Sequence, residues 1–119
     1  MKMGILIVDD TAFMRVTIRG ILEKNDMEIL GEAVNGIDAL EKYKRLKPSI
    51  VTMDITMPEL DGIEATKEIV KIDPEAKIIV CSAMGQESRV IEAINAGAKS
   101  FVVKPISEEK LIDEIKKFL

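Results

Sequence analysis

Acidic side chains, a hydroxyl and a lysine stand at the ends of four short apolar runs that lie far apart in the chain. They are Asp9 and Asp10 in ILIVDD, Asp54 in IVTMD, Ser82 in IIVCSA, and Lys104, before Pro105, in FVVKP. Oxygen ligands of this kind suit a hard divalent cation such as Mg²⁺, and a lysine supplies positive charge for an incoming phosphoryl group. Carboxylates that are crowded together repel one another unless a cation joins them. If the four run ends meet, the sequence predicts a magnesium-dependent phosphoryl-transfer site.

Five apolar runs alternate with five amphipathic stretches, which is typical of an α/β fold with a parallel sheet. The pattern predicts strands at 4–9, 28–33, 49–54, 77–82 and 100–104. It predicts helices at 12–25, 36–46, 62–72, 86–96 and 107–118, the last with an apolar face that includes Phe118 and Leu119. The expected fold is a doubly wound, five-stranded parallel sheet with five helices, which binds ligands at the carboxyl ends of its strands. Strands 1, 3 and 4 are almost wholly apolar and should be central, whereas strand 2, EILGEA, suits an edge.

Composition limits the partners and the chemistry. A chain of 119 residues that is 47% hydrophobic suits one domain spanning 1–119. A net charge of -4, the lack of a basic run and only 3% aromatic residues argue against nucleic acid as a partner. No apolar stretch approaches the roughly 20 residues that span a bilayer, and MKMGILIVDD runs straight into a strand pattern, so we expect a cytoplasmic protein without membrane contact. A single cysteine, Cys81, which should be buried, and the lack of histidine argue against zinc and redox chemistry.

Asp54 is the predicted nucleophile, because a carboxylate that attacks phosphorus needs only alignment, charge neutralisation and an in-line path. Thr56 lies in the following loop, where its backbone carbonyl is a candidate metal ligand. Pro58 should hold this loop out of helical geometry, and Gly62 should permit a tight return. The alternative for the loop residues is ordinary turn chemistry, and for the DD pair it is capping of the next helix.

Three further residues have both a structural and a functional interpretation. Ser82 is either a strand-end hydroxyl bonded to nearby backbone or a phosphoryl ligand opposite Asp54. Lys104 is either solvated or aimed inward by the turn at Pro105, whose peptide bond is a candidate cis bond. Phe101 is expected in the core by residue type. Its functional alternative is a rotamer switch that follows Ser82.

Taken together, these motifs resemble the response-regulator receiver family over the whole chain. They are the DD pair, the MDITMPELDG block around Asp54, Ser82-Ala83 and Lys104-Pro105, in that order and at these intervals. The likeness is greatest to the single-domain chemotaxis members of the family. The resemblance implies a flavodoxin-like sheet with the strand order 2-1-3-4-5.

The same resemblance implies a role for each residue. The expected Mg²⁺ ligands are Asp9, Asp10, Asp54 and the backbone carbonyl of Thr56. Asp54 would accept a phosphoryl group from a histidine kinase, and Ser82 and Lys104 would bind its oxygens. Movement of the Ser82 hydroxyl toward the phosphate would open a space that Phe101 fills. The surface of helix 4, strand 5 and helix 5 would then rearrange.

Three positions depart from the best-known chemotaxis members. Thr56 stands where many carry asparagine, and Met84 where many carry an acid. Both flank the path of the attacking water, so they bear on the lifetime of the phosphoryl group. Phe101 lacks the phenol of the tyrosine found in many relatives, although inward packing needs only the ring.

The leading hypothesis is a phosphorylation switch that changes affinity for a protein partner. A phosphorelay carrier is the alternative within the family. Two alternatives lie outside the family. A Mg²⁺-dependent phosphohydrolase of the haloacid dehalogenase type would need a second aspartate two residues after the first, and this chain has none there. A flavin carrier would need a phosphate-binding loop after strand 1, and DDTAFM is too acidic for one. We expect a monomeric signalling protein, not an enzyme. Its expected partners are a histidine kinase and an output protein such as the flagellar motor switch, with a phosphatase as a further partner.

Overall fold

The alternating apolar runs and amphipathic stretches form alternating strands and helices in the computed structural model, which describes residues 4–118. The strands are β1 (Gly4–Val8), β2 (Glu28–Ala33), β3 (Ile50–Asp54), β4 (Ile78–Ser82) and β5 (Ser100–Val103). The helices are α1 (Ala12–Lys24), α2 (Gly36–Leu46), α3 (Gly62–Ile72), α4 (Glu87–Ala96) and α5 (Glu108–Lys116). The predicted element order is confirmed, and no boundary differs by more than two residues. Leu119 and residues 1–3 of the predicted domain lie outside the described residues.

One parallel sheet joins the five strands in the order β2-β1-β3-β4-β5, as the family resemblance implied. β1, β3 and β4 are buried along their whole length and occupy the centre, and β2 forms an edge. Val8 of β1 is level with Met53 of β3, and Asp54 of β3 is level with Cys81 of β4. The residues that follow these three strands therefore emerge together at one edge of the sheet.

The sheet has an apolar core on each face because successive strand residues point to opposite sides. Leu6 and Val8 of β1 belong to one core, which packs under α2, α3 and α4. Ile5 and Ile7 belong to the other, which packs under α1 and α5. A doubly wound arrangement follows, as predicted. Cys81 is buried, as expected, and burial raises the pKa of its thiol to about 12.

Within residues 4–118, side chains cap four of the five helices. The N-caps Thr11, Asn35, Asp61 and Ser107 each accept a hydrogen bond from the backbone N–H three residues later. Gly97 ends α4 with a φ of +121°, in the region that favours glycine. The start of α4, at Gln86, has no side-chain cap. No helix in this part of the chain is both long enough and apolar enough to cross a membrane.

Candidate functional site

The loop after β1 fixes one buried carboxylate and leaves its neighbour open to solvent. Asp9 is only 1% exposed, and its Oδ1 accepts hydrogen bonds from the backbone N–H of Thr11 at 2.9 Å and from the Thr11 hydroxyl at 3.0 Å. Thr11 itself caps α1 by accepting from the N–H of Met14. Neither Asp9 nor Asp10 is therefore the cap, so the capping alternative is wrong. Asp10 is exposed.

Asp54 ends β3 and is 6% exposed. The ammonium group of Lys104, which follows β5, lies 3.2 Å from Asp54 Oδ1 and 3.3 Å from Asp9 Oδ2. Carboxylate oxygens of Asp9, Asp10 and Asp54 all lie within 4.8 Å of one another. The structure thus brings together the three acids and the lysine that the sequence placed at the ends of three different strands.

Burial and crowding make Asp54 reluctant to ionise. Burial raises its pKa to about 6, the nearby Asp9 and Asp10 carboxylates push in the same direction, and Lys104 only partly opposes them. Burial alone would lower the pKa of Lys104, but Asp54 and Asp9 hold it above its ordinary value. Only Asp9 and Asp54 of the three carboxylates contact the Lys104 ammonium group. A further cation would relieve the remaining repulsion, and oxygen-only ligands suit Mg²⁺.

The loop after β3 returns to the sheet through a very close backbone contact. Gly62 donates its N–H to the carbonyl of Ile55 at 2.8 Å. A Cβ atom on Gly62 would lie 2.0 Å from the carbonyl oxygen of Asp54, which is too close for any side chain. The predicted tight return is confirmed, and its cause is this close approach. Thr56 lies exposed in the same loop.

Ser82 ends β4 and is 1% exposed, directly after the residue that pairs with Asp54. It therefore lies at the same sheet edge as Asp54. The Lys104-Pro105 peptide bond is cis, as the sequence allowed. These two positions complete the predicted set at the carboxyl ends of β3, β4 and β5.

Phe101 is not in the core, so the expectation from residue type is wrong. Its side chain is 47% exposed, and it lines a groove of about 440 Å³ between α4 and β5. β5 is an edge strand in which Val102 packs inward while Phe101 and Val103 face out. The groove also contains exposed apolar side chains of α4 and of the preceding loop, including Met84 and Ile91.

Sequence reasoning missed three polar side chains that hold the site in place. Arg15 donates to the carbonyl of Asp9 at 2.7 Å and to Glu32 Oε1 of β2 at 3.1 Å. Gln86 bridges the loops after β3 and β4. Arg89 of α4 lies 3.1 Å from Asp61, the cap of α3. Arg15 could have been found from the sequence, because it is a basic residue in the first turns of the helix that follows the DD pair. Gln86 and Arg89, at the start of α4, belong to no local sequence pattern.

The comparisons with known proteins agree with this geometry. The response regulator receiver domain family matches residues 5–116. "Chemotaxis protein CheY" of Thermotoga maritima is 62% identical over 113 residues, which cover 95% of this chain and 94% of the relative. The protein of the same name from Bacillus subtilis is 60% identical over 97% of this chain and 96% of its own length. The structure of the "CheX-CheY-BeF3-Mg+2 complex from Borrelia burgdorferi" superposes with a TM-score of 0.92 at 36% identity, over 97% of this chain and 87% of that chain.

The sheet order, the acidic trio with its lysine and the family match define a class of protein: the chain belongs to the response regulator receiver domain family. It is a signalling switch of two-component systems that is activated by phosphorylation. Within the family it is of the chemotaxis type, because it is similar over nearly its whole length to proteins named CheY.

Proposed function

We propose that Asp54 is the residue that takes up the phosphoryl group, with Mg²⁺ bound beside it, and that the domain spans the chain from 1 to 119. The observation that carries the proposal is the position of Asp54. It is nearly buried, lies within 4.8 Å of the Asp9 and Asp10 carboxylates, and contacts the Lys104 ammonium at 3.2 Å. Among the residues that the structure describes, Asp9, Asp10 and Asp54 form the one group of three acidic side chains this close together.

The chemistry asks only for alignment and charge. An oxygen of Asp54 attacks phosphorus, an O–P bond forms, and the bond from phosphorus to the donor breaks with its electron pair left on the donor. The donor is a phosphohistidine of a kinase, or acetyl phosphate in a simple assay. Hydrolysis restores the resting carboxylate: water attacks phosphorus, the Asp54–phosphorus bond breaks, and the carboxylate, inorganic phosphate and a proton result.

The residues of the acidic cluster fit a magnesium ion. Asp9, Asp10 and Asp54 offer carboxylate oxygens, and the backbone carbonyl of Thr56 is the proposed neutral ligand. Bound there, Mg²⁺ supplies charge neutralisation for the phosphoryl oxygens and for the crowded carboxylates. Burial and then the nearby Asp9 carboxylate raise the pKa of Asp54, and a bound cation would favour its ionised form.

Lys104 and Ser82 are the proposed ligands of the phosphoryl oxygens. The ammonium of Lys104 already bridges Asp54 and Asp9 at 3.2 and 3.3 Å, so a phosphoryl group on Asp54 would form within its reach. Ser82 offers a hydroxyl at the end of the neighbouring strand. Charge-assisted hydrogen bonds of this type contribute about 1.5 to 3 kcal/mol each, which is enough to shift a two-state equilibrium substantially.

The proposed output is carried by the groove between α4 and β5. Its apolar lining is exposed, and Ser82 lies at one end of it with Phe101 along its side. A Ser82 hydroxyl drawn toward the phosphoryl group leaves room for the Phe101 ring to turn inward, which changes the shape of the groove. An exposed apolar surface coupled to the site favours a switch over a simple phosphorelay carrier.

We assign as partners a histidine kinase that supplies the phosphoryl group and an output protein such as the flagellar motor switch, with a phosphatase acting on the phosphorylated form. The names of the similar proteins support chemotaxis as the pathway. The Borrelia burgdorferi complex, in which a CheY is bound to CheX with BeF3 and Mg²⁺, supports binding of a partner at a metal-loaded receiver. We further assign the protein to the cytoplasm as a monomer.

The test is labelling by acetyl phosphate in Mg²⁺, followed by intact mass. The native protein should gain one phosphoryl group, and Asp54→Asn should gain none. Asp113→Asn, a matched change at an exposed aspartate of α5, should be labelled like the native protein. Continued labelling of Asp54→Asn at another residue would refute the assignment, and loss of labelling without Mg²⁺ would support the metal.

A further inference from the structure

Gln86 joins two loops at the phosphorylation edge of the sheet. Its side-chain carbonyl accepts a hydrogen bond from the backbone N–H of Ala83 at 3.0 Å. Its side-chain amide donates to the hydroxyl of Thr56 at 3.3 Å. Gln86 is half-buried, although the residues on both sides of it are exposed. Both polar ends of this one side chain are therefore engaged.

The two partners of Gln86 directly follow the residues that do the chemistry. Thr56 comes two residues after Asp54, and Ala83 comes one residue after Ser82. Because β3 and β4 are neighbouring strands with Asp54 level with Cys81, the loops that follow them lie side by side. A side chain that spans these loops therefore links the segments that follow Asp54 and Ser82.

The position of Gln86, directly before α4, supports a role in the bridge between the two loops. It is the residue before the first turn, where a short polar side chain would normally cap the helix. Gln86 makes no such cap, so its side chain is committed to the bridge instead. One turn later, Arg89 lies 3.1 Å from Asp61 at the end of the loop that follows β3. The start of α4 is thus fastened to that loop at two points.

We propose that Gln86 is a positioning residue that closes the approach to Asp54 and holds the Ser82-Ala83 end of β4 in its unphosphorylated place. This inference rests on the proposed phosphorylation of Asp54. Movement of Ser82 toward a phosphoryl group displaces Ala83, and displacement of Ala83 strains or breaks its bond to Gln86. The bridge must therefore open before a donor or a water molecule reaches Asp54, and it is broken again when Ser82 is displaced.

A bridge of this kind limits phosphoryl uptake and hydrolysis alike, because both need the same opening. Gln86→Met keeps the side-chain volume and removes both hydrogen bonds. We expect the rate constants of both reactions to rise about threefold to tenfold, the factor by which loss of one or two ordinary hydrogen bonds shifts an opening equilibrium. The Mg²⁺ concentration at half-saturation, read from thermal shift, should stay unchanged, since the bridge contacts only the Thr56 hydroxyl and neither the carboxylates nor the Thr56 backbone carbonyl that is the proposed ligand.

A double-mutant comparison separates the bridge from a general loosening of the loop. Thr56→Val removes the hydroxyl but keeps the backbone carbonyl and the shape of the side chain. It should raise both rates when made alone and add nothing in the Gln86→Met background. Ser88→Ala, an exposed change in the first turn of α4, is the control and should leave both rates as they are.

The experiment uses acetyl phosphate, Mg²⁺ and the whole chain, with intact mass for uptake and released inorganic phosphate for hydrolysis. Unchanged rates in Gln86→Met, or fully additive effects of the two substitutions, would overturn the role of Gln86 while leaving phosphorylation of Asp54 intact. A faster Gln86→Met whose half-saturating Mg²⁺ is also altered would overturn it too. If the native chain takes up no phosphoryl group, the proposed function itself has failed.

Discussion

Asp54→Asn should stabilise the metal-free protein above about pH 6, although it removes a partner of Lys104. The fold raises the pKa of Asp54 from 3.8 to about 6, with Lys104 already present. Below pH 3.8 the carboxyl is protonated in both the folded and the unfolded chain, and stability is fully present. Between pH 3.8 and 6 the unfolded chain ionises while the folded one keeps its proton, so the free energy of unfolding falls. Above pH 6 the carboxyl is ionised in both states, and the loss of free energy of unfolding no longer changes with pH.

The size of this loss follows from the same two pKa values. A difference of about 2 units, at 1.36 kcal/mol per unit, gives about 3 kcal/mol. Asparagine has the shape of a protonated carboxyl and no charge, so Asp54→Asn escapes the loss. The free energy of unfolding of Asp54→Asn should equal that of the native protein near pH 4 and exceed it by up to about 3 kcal/mol at pH 8.

Urea unfolding followed by far-ultraviolet circular dichroism measures this difference, since the chain has no tryptophan to report by fluorescence. The samples contain EDTA and span pH 4 to 8. Asp113→Asn, at an exposed site on α5, serves as the control. Addition of Mg²⁺ should stabilise the native protein more than Asp54→Asn and narrow the gap. If the native protein is as stable as Asp54→Asn, or more stable, at pH 8 in EDTA, the account of the site as electrostatically strained is refuted.

Two further changes test the switch and the backbone of the site. Phe101→Ala should weaken binding of the phosphorylated protein to its output partner about tenfold or more by titration, because a half-exposed ring in an apolar groove is a typical binding anchor, and should leave phosphoryl uptake nearly unchanged. Lost uptake with retained partner affinity would contradict it. Gly62→Ala should lose about 2 kcal/mol or more in urea unfolding, because its methyl group meets the Asp54 carbonyl. Gly20→Ala, at an exposed position of α1 where nothing lies within 4 Å, should increase the free energy of unfolding by about 0.5 to 1 kcal/mol, and equal effects at the two glycines would contradict the close approach.

The elements that carry the site were readable from the sequence because their signals are local. Apolar runs of four or five residues are typical of strands in an alternating pattern, and the residue that ends each run falls at one edge of a parallel sheet. Asp9, Asp54, Ser82 and Lys104 were placed correctly by this rule. The strand order itself came from the family resemblance, since the runs do not state which strands are neighbours.

What the sequence could not supply depends on contacts between distant elements. Residue type placed Phe101 in the core, but β5 is an edge strand and its outer face is covered only in part by α4. Gln86 has no motif of its own, because its meaning comes from Thr56, 30 residues earlier. The capping alternative for the DD pair failed for a local reason, since Thr11 takes the cap and binds Asp9 as well.

The site combines a strained resting charge with weak restraints, and that combination is what a switch requires. Three clustered carboxylates, of which only two contact Lys104, disfavour the ionised metal-free state, so binding of a cation relieves an existing cost. The resting arrangement is held by single hydrogen bonds at Gln86 and by one partly exposed ion pair between Arg89 and Asp61, each of modest strength. The free energy of a few charge-assisted hydrogen bonds to one phosphoryl group exceeds that of these restraints. It does not exceed the stabilisation that the two apolar cores provide. The fold can therefore stay intact while only the loops beside Asp54, α4 and the exposed face of β5 change.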